Sequence, residues 1–290
     1  MIDVTLGIIG GSGLYDLPGL TGSWRAIESP WGEPSDAVFE GEIGGTRTVF
    51  MPRHGRGHAI DPTGINFCAN IDVMKRAGVT DLVSLSAVGS LKHDLPPGTF
   101  VIVDQFIDRT FARKKSFFGK GCVAHVSMAH PVSRQLGDRV EDAARAVGAR
   151  QFRGGTYLAM EGPQFSSLAE SLLYRQWGCD VIGMTNMPEA KLAREAEISY
   201  ATVAMVTDFD SWHEDHGEVD ITAIIKTMND NAAMAQALVG ELATKMPAQR
   251  EPCPSGADNA LEYAILTKPE ARDPALVAKL DAVAGRVLHR

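Results

Sequence analysis

Cysteine is scarce, with four in 290 residues, and Cys68, Cys122, Cys179 and Cys253 form no CxxC pair. This spacing excludes a zinc ribbon. A disulfide framework is equally out of place in a chain long enough to bury a full core without staples. Basic runs are missing as well. The chain holds 28 Lys+Arg against 36 Asp+Glu, a net charge of −8, so nucleic acid, which needs clustered positive charge, is not an expected partner. No apolar run approaches the roughly 18 residues that would make a membrane span. Met1-Ile2-Asp3-Val4-Thr5 carries no basic stretch of the secretory type. A soluble cytoplasmic protein with no membrane partner is expected. The sequence also lacks a full dinucleotide fingerprint. Gly11-Ser12-Gly13 runs into Leu14-Tyr15-Asp16 without the third glycine, and no Walker lysine follows.

What is present is ordinary globular material, 44% hydrophobic and 22% charged. Short apolar runs recur at Leu6 to Ile9, Arg47 to Met51, Leu82 to Leu85, Phe100 to Val103, Tyr157 to Met160, Val181-Ile182 and Tyr200 to Val206. They are continuous rather than alternating, which suits strands covered on both faces. Helical spacing separates them. Ile65 to Ala77 and the stretch from Ser133 stop at Gly78 and Gly148, and Leu168 to Trp177 stops at Gly178. Asp220 is placed to cap a long helix through Leu242. The expected fold is α/β, a single domain with a central, mostly parallel mixed sheet flanked by helices. Pro247 to Gly256 reads as a linker. A last helix starts at Asp273-Pro274 and repeats Leu276, Leu280, Val283 and Val287 on one stripe. Residues 1–246 are therefore expected to form the catalytic domain, and 247–290 a linker and helix packed on it.

Polar clusters fall at the strand ends, where α/β folds place ligands. Gly10-Gly11-Ser12-Gly13 is either a structural turn or an anion site. Arg53-His54-Gly55 offers a planar fork of donors suited to phosphate, against the plainer reading of a solvated basic loop. Ser84 to Ser90 permits close backbone approach, or is simply a strand-to-loop turn. Asp208 and Asp210, spaced i, i+2 after a buried strand, suit acid–base chemistry or an Asx-turn with a helix cap. Burial is expected to raise the Asp208 pKa, and two close carboxylates disfavour double ionisation.

In order and spacing these segments resemble the methylthioadenosine branch of the trimeric purine nucleoside phosphorylases. The text that carries the likeness is Gly7 to Leu14, Arg53-His54-Gly55, Asn66 with Ala69-Asn70-Ile71, and Asp104 to Thr110. It continues with Glu161-Gly162-Pro163, Met184-Thr185, Pro188-Glu189-Ala190 and Thr207 to Asp210. The resemblance implies phosphorolysis, with phosphate as co-substrate and no cofactor or metal. It implies that Ser12, Arg53, His54, Ser86, Thr185 and the Ala87 backbone hold phosphate. Met184 would lie against the ribose, Phe165 and Ser166 would border the purine, and Ile221 and Ile224 would line a 5′ pocket. Asp208 would face ring nitrogen 7 and Asp210 the 6-amino group; His125 would come from a neighbour in a homotrimer. Gln164 and Asn186-Met187 depart from the common pattern.

Three rivals follow from the same residues. A 6-oxopurine phosphorylase on this scaffold would want a donor such as Asn, where this chain offers carboxylates. An NAD-binding oxidoreductase is disfavoured by the broken glycine fingerprint. A non-catalytic nucleoside binder would have no need of Arg53, His54 and Asp208 together.

Overall fold

The computed structural model describes residues 2–11, 17–213 and 221–289, and of positions 221, 223 and 224 the backbone alone. The buried strand β1, Leu6–Gly10, lies between β4, Thr46–Pro52, and β5, Asp81–Ser90, parallel to both. Its apolar residues alternate between two cores. Ile8 joins Val83 and Leu85 on one face, while Ile9 joins Leu82 on the other. Helices close both faces, which is why these runs show no polar alternation. Helix α1, Phe67–Arg76, and α4, Asn186–Glu195, cover the Ile9 side. Helix α2, Arg134–Ala146, and α5, Ile221–Lys245, cover the Ile8 side.

The sheet branches at β5. On one side it pairs with β1, and on the other with β11, Ser199–Phe209, in parallel. Its last residues pair antiparallel with β10, Val181–Gly183. From β10 the sheet continues in parallel through β9, Thr156–Ala159, to β7, Gln105–Asp108. From β11 it continues to β6, Phe100–Ile102, and β8, Gln151–Arg153. The far edge is an antiparallel meander of β2, Thr21–Arg25, and β3, Val38–Ile43, against β4. The fold is thus α/β with a mostly parallel mixed sheet, as expected.

The caps follow the sequence. Asn66 accepts from Ala69 N and Ser133 from Leu136 N, and Ser167 and Glu170 close a capping box on α3, Leu168–Gln176. The proposed Asp220 cap lies outside the described residues. Helix α4 shows no apolar stripe in the sequence because its polar residues Asn186, Glu189, Arg194 and Glu195 are buried with the rest. Strand β2 is exposed throughout and so carries no hydrophobic signal. The final helix is two, α6, Pro274–Lys279, and α7, Asp281–Leu288, meeting at Leu280. Leu280 and Val283 are buried in the core that also holds Ile71 and Met74 of α1. Arg286 closes the tail onto buried Glu197 at 2.6 Å, and Asp281 pairs with Arg76.

Candidate active site

The ends of β1, β4, β5, β10 and β11 converge on a cleft of about 520 Å³. Arg53, His54, Ser86, Ala87, Phe165, Met184, Thr185, Asp208 and Asp210 all line it. Short backbone bonds hold the strand ends in register there. Gly11 N donates to Leu85 O at 3.2 Å and Arg53 N to Gly10 O at 2.9 Å. Ser86 and Ala87 do not belong to a loop, since β5 runs through them to Ser90. The turn reading of Ser84 to Ser90 is corrected accordingly: pairing with β11 keeps this stretch extended.

One end of the cleft is built of donors. The Ser86 hydroxyl lies 3.3 Å from the Thr185 hydroxyl and 3.2 Å from Tyr157 Oη. Arg53 is fully buried rather than a solvated loop residue, and its Nε donates to Glu189 Oε2 at 2.8 Å. Burial works against its charge, but the Glu189 pair more than offsets this and keeps it protonated. His54 Nδ1 meets Ile60 O at 2.8 Å, and because a carbonyl only accepts, Nδ1 carries the proton. Burial, reinforced by the Arg53 charge, pushes the His54 pKa down to about 4, so the ring is neutral near pH 7.

The other end is built of carboxylates. A bulge between Val206 and Asp208 turns the end of β11 and brings both aspartates to the cleft, with Asp208 opposite Gly89. Gly89 packs closely there: a Cβ at this position would lie 3.3 Å from Asp210 Cβ and 3.6 Å from Asp208 Oδ2. Burial pushes the Asp208 pKa up to about 6; the Thr207 hydroxyl opposes the rise and Asp210 adds to it. Ser166 Oγ lies 2.8 and 2.6 Å from the two oxygens of Asp210, so Ser166 stands behind the aspartate rather than on the cleft wall. Asp208 is part of a strand and its Oδ1 accepts from Thr207 Oγ1 at 2.6 Å, which sets aside the turn-and-cap reading. Between the two ends the wall is apolar, with Val88, Met160, Ile182, Met184 and Met228.

Glu161 does not touch the cleft but ties its rim together. It accepts from Thr63 Oγ1, Phe111 N, Ala112 N and Arg113 Nε. These bonds outweigh burial and hold its pKa near about 2. The remaining expected residues are placed differently. Ser12 lies outside the described residues, as do the side chains of Ile221 and Ile224. His125 is exposed, with its backbone N bonded to Ala264 O, and does not line the cleft of its own chain. Asn186, Glu189, Tyr157 and Tyr200, which stand behind the cleft wall, have no role assigned from the sequence, because nothing local marks a buried polar residue as the support of a site.

The architecture agrees with the comparisons. The model of the phosphorylase superfamily matches residues 5–244. The S-methyl-5′-thioadenosine phosphorylase of Bradyrhizobium diazoefficiens is 63% identical over 290 residues, covering 100% of both chains. That of Cereibacter sphaeroides is 62% identical over 284 residues, covering 98% of each. Among solved structures, a methylthioadenosine phosphorylase from an antarctic soil metagenomic library superposes with a TM-score of 0.91 at 43% identity, over 98% of this chain and 99% of its own. Methylthioadenosine phosphorylase from Schistosoma mansoni in complex with tubercidin gives 0.83 at 32% identity, over 93% and 99%. The chain belongs to the phosphorylase superfamily, in its S-methyl-5′-thioadenosine phosphorylase family.

Proposed function

We propose that the protein cleaves 5′-methylthioadenosine with inorganic phosphate, giving adenine and 5-methylthioribose 1-phosphate. The observation that carries this reading is the polarity of the cleft, with neutral and guanidinium donors at one end and a protonatable Asp208 at the other. A phosphate oxygen attacks the anomeric carbon as the bond to the purine breaks. The bonding electrons pass to the base, and Asp208 delivers its proton to ring nitrogen 7. Arg53, Ser86, Thr185 and the Ala87 backbone donate to the anion beneath the sugar, the neutral His54 holds it by accepting a phosphate O–H at Nε2, and fixed groups there need no reorganisation as charge develops. Asp210, held by Ser166, accepts from the 6-amino group. A 6-oxopurine would set acceptor against acceptor at that point, which favours adenine.

The reading includes inorganic phosphate as co-substrate without a cofactor, and residues 1–246 as the catalytic domain with 247–290 as its extension. It also includes a cytoplasmic homotrimer in which His125 completes a neighbour's site. No described helix is long and apolar enough to cross a membrane. One assay tests the core of it: methylthioadenosine, adenosine and inosine, each with and without phosphate. Adenine release from methylthioadenosine that requires phosphate is the expected result. Undiminished release in phosphate-free buffer would make the enzyme a hydrolase and refute the proposal.

A further inference from the structure

Glu189 does not line the cleft. It sits at the start of α4, 1% exposed, against the guanidinium of Arg53, which is equally buried. The five guanidinium hydrogens are nearly all committed inward. Nε donates to Glu189 Oε2 at 2.8 Å, and Nη2 faces Glu189 Oε1 at 3.3 Å, Ser84 Oγ at 2.5 Å and Ile9 O at 3.3 Å. Nη1 donates once, to Leu85 O at 3.1 Å. Among the described residues this leaves a single Nη1 hydrogen for a ligand. Nη1 lies beneath Gly11, 3.5 Å from where a Cβ there would be, at the donor end of the cleft.

Glu189 is itself held. Tyr200 Oη donates to its Oε1 at 2.9 Å, Asn186 Nδ2 donates to Tyr200 Oη at 2.6 Å, and Asn186 Nδ2 also donates to Ser84 Oγ at 2.8 Å. Burial and the Glu189 charge keep the Tyr200 phenol protonated and so a donor. Arg53, Glu189, Tyr200, Asn186 and Ser84 therefore close a ring of buried hydrogen bonds directly behind the oxyanion end.

We propose that Glu189 is the positioning residue of the oxyanion site: through this ring it fixes Arg53 so that one Nη1–H is aimed at the co-substrate, and it balances the guanidinium charge. The anion is then held by a directed donor rather than by net positive charge. Glu189 acts through Arg53 and touches no substrate. The inference rests on reading the cleft as a phosphate site.

The test is steady-state kinetics with each substrate varied in turn, on the full chain. Glu189→Gln keeps the shape but turns an acceptor into a donor facing Arg53. Its phosphate KM should rise about tenfold or more, with the methylthioadenosine KM within about threefold of the parent. In an Arg53→Lys background, adding Glu189→Gln should change the phosphate KM by less than about twofold, because the residue it positions is already gone. A merely structural role would lower the melting temperature and the active fraction and leave phosphate KM unmoved. Should Glu189→Gln fail to fold, Tyr200→Phe removes two bonds of the ring, to Glu189 and from Asn186, and should raise phosphate KM about threefold. Unchanged phosphate KM in the variants that fold, or additive effects with Arg53→Lys, would overturn the proposal. A parent that turns over without phosphate defeats the functional reading and this inference together. A phosphate-dependent parent with indifferent variants defeats this inference alone.

Discussion

Replacing Asp208 by Asn separates chemistry from stability, because the two should move in opposite directions. The amide keeps the shape of the side chain and still accepts from Thr207 Oγ1, but it has no proton to transfer. With a pKa of about 6, roughly one free enzyme molecule in ten carries the Asp208 proton at pH 7. Loss of a general acid costs about 10²–10⁴ in rate, so turnover of methylthioadenosine should fall by about a hundredfold or more. The parent's kcat/KM should decline as pH rises through about 6, as the proton leaves, and the variant should lack this limb. Stability follows the linkage relation. The folded pKa lies above the usual aspartate value of 3.8, so the contribution is fully present below 3.8 and lost as pH rises through about 6. At higher pH the parent carries a buried charge that the variant does not. The rise from 3.8 to about 6 sets an upper bound of about 3 kcal/mol, reduced by water in the open cleft. Asp208→Asn should thus melt above the parent at pH 7.5 and match it near pH 4. Thermal melts at both pH values, with a phosphorolysis assay, check both halves. A variant as active as the parent, or one less stable at pH 7.5, would show that Asp208 is structural.

Two further variants probe the supports of the site. A Cβ at Gly183 would sit 2.0 Å from Tyr157 Oη, so Gly183→Ala must displace the phenol that lies 3.2 Å from Ser86 Oγ. It should cost about 1–3 kcal/mol and raise phosphate KM, read from a denaturant melt and substrate titration; parent values in both would refute the contact. Arg286→Ala leaves the buried Glu197 carboxylate, among the described residues, with the Leu261 backbone N–H as its remaining donor at 2.9 Å. With Arg286 38% exposed, the loss should be about 1–3 kcal/mol, and a melting temperature equal to the parent's would show that the tail is not held there.

The sequence by itself determined seven of the sheet's eleven strands, most of the covering helices and nine of the residues that line the cleft. Uninterrupted apolar runs such as Leu6 to Gly10 mark strands covered on both faces, and polar residues at the ends of such strands have little to do but meet a ligand. Local chemistry also marked the cap at Asp273, since an N-cap needs only its own first turn. The tertiary structure decided the rest. Helix α4 is hidden from periodicity because Asn186, Glu189 and Glu195 are buried beside apolar neighbours, and their partners lie far away in the chain. That Arg53 is a captive guanidinium with, among the described residues, one uncommitted hydrogen depends on Glu189, 136 residues distant, and no local pattern encodes that pairing. The ionisation of Asp208 likewise depends on how deeply the bulged end of β11 is packed beside Gly89, a property of the folded cleft and not of the dipeptide that carries the carboxyl.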